Sequence, residues 1–128
     1  MIGLDTNILL RYVVEDGSPQ TLVATKFVET ELSLVDRGYV SLPVLFEFVW
    51  TLRSTYVFEA DAVRRTVSAL LTVAQLEFED RELIARALAA DAQLPDVLIS
   101  HLAFRRGCTR LVTFDKKFAR LDGVELLA

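Results

Sequence analysis

Short apolar runs alternate with segments of helical period along the whole chain, and this alternation limits the fold more than any other feature of its 128 residues. Ile2 to Leu4 is such a run. It stops at Asp5-Thr6-Asn7 and gives way to Ile8, Leu9, Tyr12 and Val13, spaced as on one helix face. Ser18-Pro19 predicts a second helix, with serine as the N-cap and proline at the first helical position. Leu22, Val23, Phe27, Val28, Leu32 and Val35 follow helical spacing there, and Gly38 ends it. Tyr39 to Leu42 reads as a strand, and Pro43 opens a helix to about Tyr56. A helix over 59–73, a strand Leu76-Glu77-Phe78 and a helix capped by Asp80 to about Ala90 come next. Pro95-Asp96 opens a further helix, which Gly107 stops. Arg110 to Phe114 reads as a strand, Lys116 to Leu121 as a helical turn or two, and Val124 to Leu127 as a last strand. This order predicts an α/β fold around a mostly parallel sheet, with helix outweighing strand.

One helix contains an anomaly. Residues 44 to 50 read Val-Leu-Phe-Glu-Phe-Val-Trp and place a carboxylate, Glu47, in the most apolar stretch of the chain. An ionised carboxylate taken from water needs a partner, a cation or a proton. Three aspartates lie where such a partnership could form. Ligands of open α/β sheets bind outside the carboxyl ends of the strands. Asp5 follows the first strand, Asp115 follows Leu111-Val112-Thr113, and Asp96 opens a helix directly behind Pro95. Singly, Asp5 and Asp96 suit N-caps and Asp115 suits a turn. Together with Glu47 they would form an oxygen-only donor set, and clustered carboxylates repel unless cations lie among them. Such a set favours Mg²⁺ or Mn²⁺ over zinc.

Charge and composition agree with that reading. The net charge is −4, against a protein that holds nucleic acid by charge alone, and it equals the charge of the four carboxylates. From Arg105 to Arg120, however, six basic residues (Arg105, Arg106, Arg110, Lys116, Lys117, Arg120) face one acid, Asp115. This segment could meet a phosphate backbone. The chain is 52% hydrophobic, with a mean hydropathy of +0.36, so some apolar surface is expected to be left for a partner. No uncharged run approaches a membrane span. No export signal is visible, so a cytoplasmic location is expected. The single cysteine, Cys108, excludes an intramolecular disulfide and a cysteine-based zinc site. The single histidine, His101, lies five residues after Asp96, which on a helix points it away from that acid.

Four segments together resemble the PIN-domain ribonucleases, specifically the VapC-like toxins of toxin–antitoxin pairs. They are Ile-Gly-Leu-Asp5-Thr6-Asn7; Pro43…Glu47…Trp50; Leu94-Pro95-Asp96-Val97-Leu98-Ile99; and Leu111-Val112-Thr113-Phe114-Asp115-Lys116-Lys117-Phe118. The resemblance spans essentially the whole chain. The length suits a single domain over residues 1–128, and the resemblance implies a PIN-like three-layer sandwich with a mostly parallel central sheet flanked by helices. Carried over by position, the catalytic, metal-binding acids are Asp5, Glu47, Asp96 and Asp115. Asn7 and Thr113 match polar residues that support them. Some relatives carry a further acid where this chain has Lys117, which weakens the case for a firmly held second metal.

The implied activity is hydrolysis of RNA phosphodiesters by a Mg²⁺-dependent (or Mn²⁺-dependent) endoribonuclease using one or two ions. Asp5, Asp96 and Asp115 would hold the first ion, and Glu47 would share a second. Ser100, one turn after Asp96, is expected to face the site. Lys116, Lys117, Arg105, Arg106 and Arg110 are candidate phosphate contacts. The resemblance further implies a homodimer and a small cognate antitoxin, with no membrane partner. Three alternatives stand beside it. A phospho-receiver domain could use Asp80 and Lys116 but leaves Glu47 unexplained. A haloacid-dehalogenase-type phosphatase would want an aspartate where this chain has Asn7. A PIN fold could also bind RNA or protein without cutting.

Overall fold

The computed structural model describes residues 1–127. The chain forms two compact units, Met1–Arg81 and a second that begins at Glu82. In the first, β1 (Ile2–Gly3), β2 (Gly38–Val40) and β3 (Leu76–Phe78) form a three-stranded sheet in that order, all parallel. Parallel neighbours need crossover connections, and helices supply them. Helices α1 (Thr6–Val13) and α2 (Pro19–Lys26) link β1 to β2. Helices α3 (Leu42–Ser54) and α4 (Ala60–Leu71) link β2 to β3. The register Gly38↔Leu76, Tyr39↔Glu77, Val40↔Phe78 places Glu79, just past β3, at the edge where α3 begins. There the Leu42 amide donates to Glu79 Oε1 at 2.8 Å, and Ser41 caps the same helix by accepting from the Val44 amide at 3.4 Å. Two orphan donors at the start of α3 are thereby satisfied.

The core of this unit is apolar and closely packed. Leu9, Val28, Phe48, Leu52, Val67 and Leu76 have no measurable exposure. Gly38 is closely packed: a Cβ there would lie 2.7 Å from a methyl of Leu32 and 2.8 Å from one of Leu4, so those buried side chains would have to shift.

Helix α5 (Arg81–Ala89) starts on the last residue of the first unit, and the second unit contains the rest of it with α6 (Leu94–Arg105), β4 (Leu111–Thr113), a 3₁₀ turn Phe118–Arg120 and β5 (Val124–Leu126). Strands β4 and β5 pair in parallel, with Leu111↔Val124 and Thr113↔Leu126 in register. Gly107 (φ 106°) ends α6 in the left-handed conformation that glycine adopts freely. The α/β architecture and the parallel pairing agree with the sequence reading. No helix among the described residues is long and apolar enough to cross a membrane.

Three sequence expectations need correction. The second helix does not run to Val35. It ends as α2 at Lys26, continues through one π-helical turn over Phe27–Glu31, and leaves Val35 in a loop, 96% exposed. Its buried residues are Thr21, Ala24 and Val28, whereas Leu22 and Val23 face outward. Leu42 lies in α3 and not in the strand, because Ser41 takes the N-cap. Asp80 has φ 57°, a left-handed backbone rather than the extended geometry of an N-cap; aspartate tolerates that region better than most residues.

Asp16 organises the start of α2, a role the sequence reading did not assign. Its Oδ1 accepts from the Ser18 amide at 3.0 Å and the Thr21 hydroxyl at 2.9 Å, while Arg11 donates to Oδ2 at 2.6 Å. The Ser18 amide, then the Ser18 and Thr21 hydroxyls, hold the carboxyl at about 2, below its ordinary 3.8, with Arg11 adding a smaller attraction. The folded carboxyl is thus the stronger acid. Its contribution to stability is complete above about pH 4 and is lost as pH falls toward 2. Asp16→Asn is expected to lower Tm at neutral pH and to flatten the acid limb of Tm against pH in that window.

Val57 lies between α3 and α4 with φ 56°, a backbone region that costs a β-branched residue roughly 1–2 kcal/mol. It is also exposed. Val57→Gly should therefore stabilise the chain by roughly 0.5–1 kcal/mol, the relief of strain less glycine's extra entropy when unfolded. A urea titration reads this as a higher midpoint at unchanged slope.

Candidate active site

Each candidate acid is set by the end of an element. Asp5 stands two residues past β1 as the N-cap of α1, with φ −81° and ψ 158°; its Oδ1 accepts from the Thr6 amide at 2.8 Å. Its capping role is therefore realised, and its second oxygen has no part in that bond. Asn7 follows, exposed in the first turn. It lines an open groove of about 630 Å³ with Ile8 and Arg11 of α1 and with Pro19, Val23 and Phe27.

Glu47 is exposed. The expectation of a carboxylate submerged among aromatic rings is thereby overturned. Helical rotation separates sequence neighbours in space: Phe48 and Val49 turn into the core, while Glu47 shares the outer face with Pro43 and Trp50. No desolvation has to be offset there. Helix α3 packs against α1, whose start Asp5 caps.

In the second unit, Asp96 lies in the first turn of α6 behind Pro95 and is half-buried. Asp115 stands two residues past β4. Its Oδ1 accepts from the amides of Lys117 at 2.8 Å and Phe118 at 3.3 Å, and its own amide donates to Thr113 Oγ1 at 3.0 Å. Thr113 therefore supports Asp115 through the backbone. The two aspartates lie close enough to feel each other. Burial raises the Asp96 carboxyl above the ordinary aspartate value, and the negative charge of Asp115 raises it further. A cation between them would relieve both effects.

The structure thus brings Asp96 and Asp115 together. Among the described residues, no three His, Cys, Asp or Glu side chains are gathered closely enough to hold a metal ion. The donor chemistry nonetheless fits a hard divalent ion: carboxylate oxygens, one of them already strained by burial and like charge. Ser100 lies one turn after Asp96 on α6. It is buried, and its hydroxyl donates to the Val97 carbonyl at 3.0 Å. Within α6 that hydroxyl braces the helix from inside. His101 is half-buried beside Leu83, Arg86 and Phe104. Lys116, Lys117, Arg105, Arg106 and Arg110 are all exposed. Arg110 pairs with Glu125 at 3.0 Å, which occupies one of the cations expected to meet phosphate.

Comparison with known protein families decides the class: the PIN domain profile matches residues 2–124. The chain belongs to the PIN domain family. No protein with a curated description matches it. PIN domains are generally metal-dependent nucleases and typically bind divalent ions, so nuclease-type chemistry is the setting in which this PIN domain's acids are to be understood.

Proposed function

We propose that this PIN domain is a Mg²⁺- or Mn²⁺-dependent endoribonuclease that acts as the toxin of a toxin–antitoxin pair, resembling the VapC-like toxins. The observation that carries the nuclease chemistry is the Asp96–Asp115 pair: a half-buried carboxylate with a second one beside it, at the starts of α6 and of the turn after β4. Two such groups are costly to keep together without a cation. Asp96 and Asp115 would hold the ion, and Asp5 and Glu47 are the further acids that the family pattern singles out. When bound, the ion supplies a more acidic water and neutralises charge building on the phosphate.

The chain's own residues do the rest. Backbone amides of Lys117 and Phe118 fix one oxygen of Asp115, so its carboxylate has a defined orientation before any ligand arrives. Capping of α1 does the same for Asp5. Lys116 and Lys117, exposed immediately after Asp115, would contact the phosphates flanking the cut.

Partnership with a small antitoxin is supported by the groove along α1 and α2. It is largely apolar, with Ile2, Leu4, Ile8, Val23 and Phe27 in its lining, and Arg11 and Asn7 at hand for polar contacts. A homodimer would cover other exposed apolar residues, among them Leu34 and Val112.

RNA and DNA of the same sequence, each incubated with the purified protein in Mg²⁺, Mn²⁺ or EDTA, test the activity. Fragments from RNA alone, formed only with metal, support the proposal. Cutting that persists in EDTA would contradict the metal requirement, and equal cutting of DNA would contradict the assignment to RNA.

A further inference from the structure

The chain has eight phenylalanines, three tyrosines and one tryptophan, and of these only Trp50 and Phe114 are exposed. Trp50 is 68% exposed and Phe114 79%. Tryptophan is on average among the more deeply covered side chains, so the first value calls for a reason. Both rings stand beside a candidate acid. Trp50 is three residues after Glu47 on the outer face of α3, where side chains so spaced are neighbours. Phe114 directly precedes Asp115 and is followed by the exposed cations Lys116 and Lys117.

Resting on the nuclease reading above, we propose that Trp50, beside Glu47 in the first unit, and Phe114, beside Asp115 in the second, are each a stacking platform for an unpaired base of the RNA. Every base has a π face, and exposed aromatic side chains next to cations are how proteins hold splayed single strands. The local frame suits this role. The last turn of α3 is tied down by Ser54 Oγ donating to the Trp50 carbonyl at 2.8 Å and by Arg53 donating to the Phe58 carbonyl at 3.0 Å. The backbone carrying Trp50 is therefore held in place before any base arrives. Asp115 Oδ1 fixes the turn after Phe114 in the same way.

A second copy of the chain is the rival occupant, since tryptophan is also enriched at protein interfaces. The cores of such interfaces are depleted of charge. Trp50 instead shares its exposed face with Glu47, Arg53 and Ser54, and its one apolar companion there is Pro43. That surroundings favours a flat, polar-edged ligand.

Because Trp50 is the only tryptophan, its emission reports its surroundings without a label. The test titrates wild-type protein in EDTA, so that nothing is cut, with a short single-stranded RNA and with the blunt duplex formed by its complement. Quenching by the single strand and much less by the duplex is expected. Trp50→Ala and Phe114→Ala, followed by anisotropy of a labelled strand, should each bind roughly 5- to 150-fold more weakly, and Trp50→Phe should recover most of the loss. Circular dichroism melts confirm that the variants fold.

Unchanged binding by both alanine variants would overturn the inference. So would an emission shift that follows protein concentration in the absence of RNA, which would assign Trp50 to a contact between copies. Wild-type cleavage retained in full by both variants, with unchanged KM, would sink stacking and leave the nuclease reading intact. Quenching and weakened variants without cleavage of any RNA would sink the nuclease reading and support the rings as a binding surface.

Discussion

Asp96→Asn is expected to melt at a higher temperature than the wild type when no divalent metal is present, and to lose the stabilisation that Mg²⁺ or Mn²⁺ gives the wild type. The sign follows from the raised Asp96 carboxyl, which burial and then Asp115 make a weaker acid in the folded state. Below the unfolded aspartate value the group is neutral in both states and carries no penalty. As pH rises through the folded value, the folded state has to carry a charge that it disfavours, so stability is lost and stays lost at neutral pH. Asparagine keeps the shape and removes the charge. With metal the order reverses. A ligand present at a hundred times its Kd stabilises the state that binds it by about 2.7 kcal/mol, on the order of 10 °C for a chain of this size. The wild type should gain that increment and the variant little of it. A melt of each protein with and without Mn²⁺ reads all four values. An asparagine variant that melts lower than wild type in EDTA would contradict the account of the pair.

Phe48→Ala is expected to cost about 3–5 kcal/mol, the range for a fully buried phenylalanine truncated in a core that cannot collapse around the loss. Phe48 has no measurable exposure and belongs to the inner face of α3 with Leu45, Val49 and Leu52. Small domains are stable by only about 5–15 kcal/mol, so this one change should remove a large share. Its sequence neighbour makes the contrast. Glu47→Gln, on the exposed face, should stay within about 0.5 kcal/mol of wild type. Urea unfolding of the two variants side by side reads the amphipathicity of α3 directly. A large loss from Glu47→Gln would mean that the carboxylate is bound up in the fold after all.

The contrast between Glu47 and Phe48 also marks where the sequence was legible. Punctuation carried most elements: Ser18-Pro19 starts α2, Pro43 lies in the first turn of α3 behind the Ser41 cap, and Gly107 ends α6. These signals are local, because a cap or a left-handed glycine acts within one turn. The positions of Asp5 and Asp115 past the ends of strands were legible for the same reason. Burial was harder to read. Leu22, Val23 and Val35 fit a helical spacing but face outward, because the Ser18 cap and the π turn set the phase of that segment rather than hydrophobicity. Glu47 looked submerged because its neighbours in sequence are apolar, although rotation along the helix carries them away from it. Ser100 looked available because its position one turn past Asp96 shows only direction; that its hydroxyl would bond the Val97 carbonyl in a buried turn depends on the packing around α6. The exposure of Trp50 and Phe114 was equally hidden, though the signal was present: each is an aromatic residue beside an acid that the family pattern singles out.

If Asp96 and Asp115 hold a catalytic metal ion, RNA cleavage has to depend both on the ion and on Asp96. Cleavage of a structured RNA mixture in Mg²⁺ by wild type and by Asp96→Asn, side by side at equal concentration, tests it most directly. The account predicts discrete fragments from the wild type, none when EDTA replaces the metal, and a rate at least about a thousandfold lower for the variant, in line with loss of a group that stabilises charge in the transition state. Equal cleavage by the two proteins would contradict it, because the acid on which the site is built would then be dispensable.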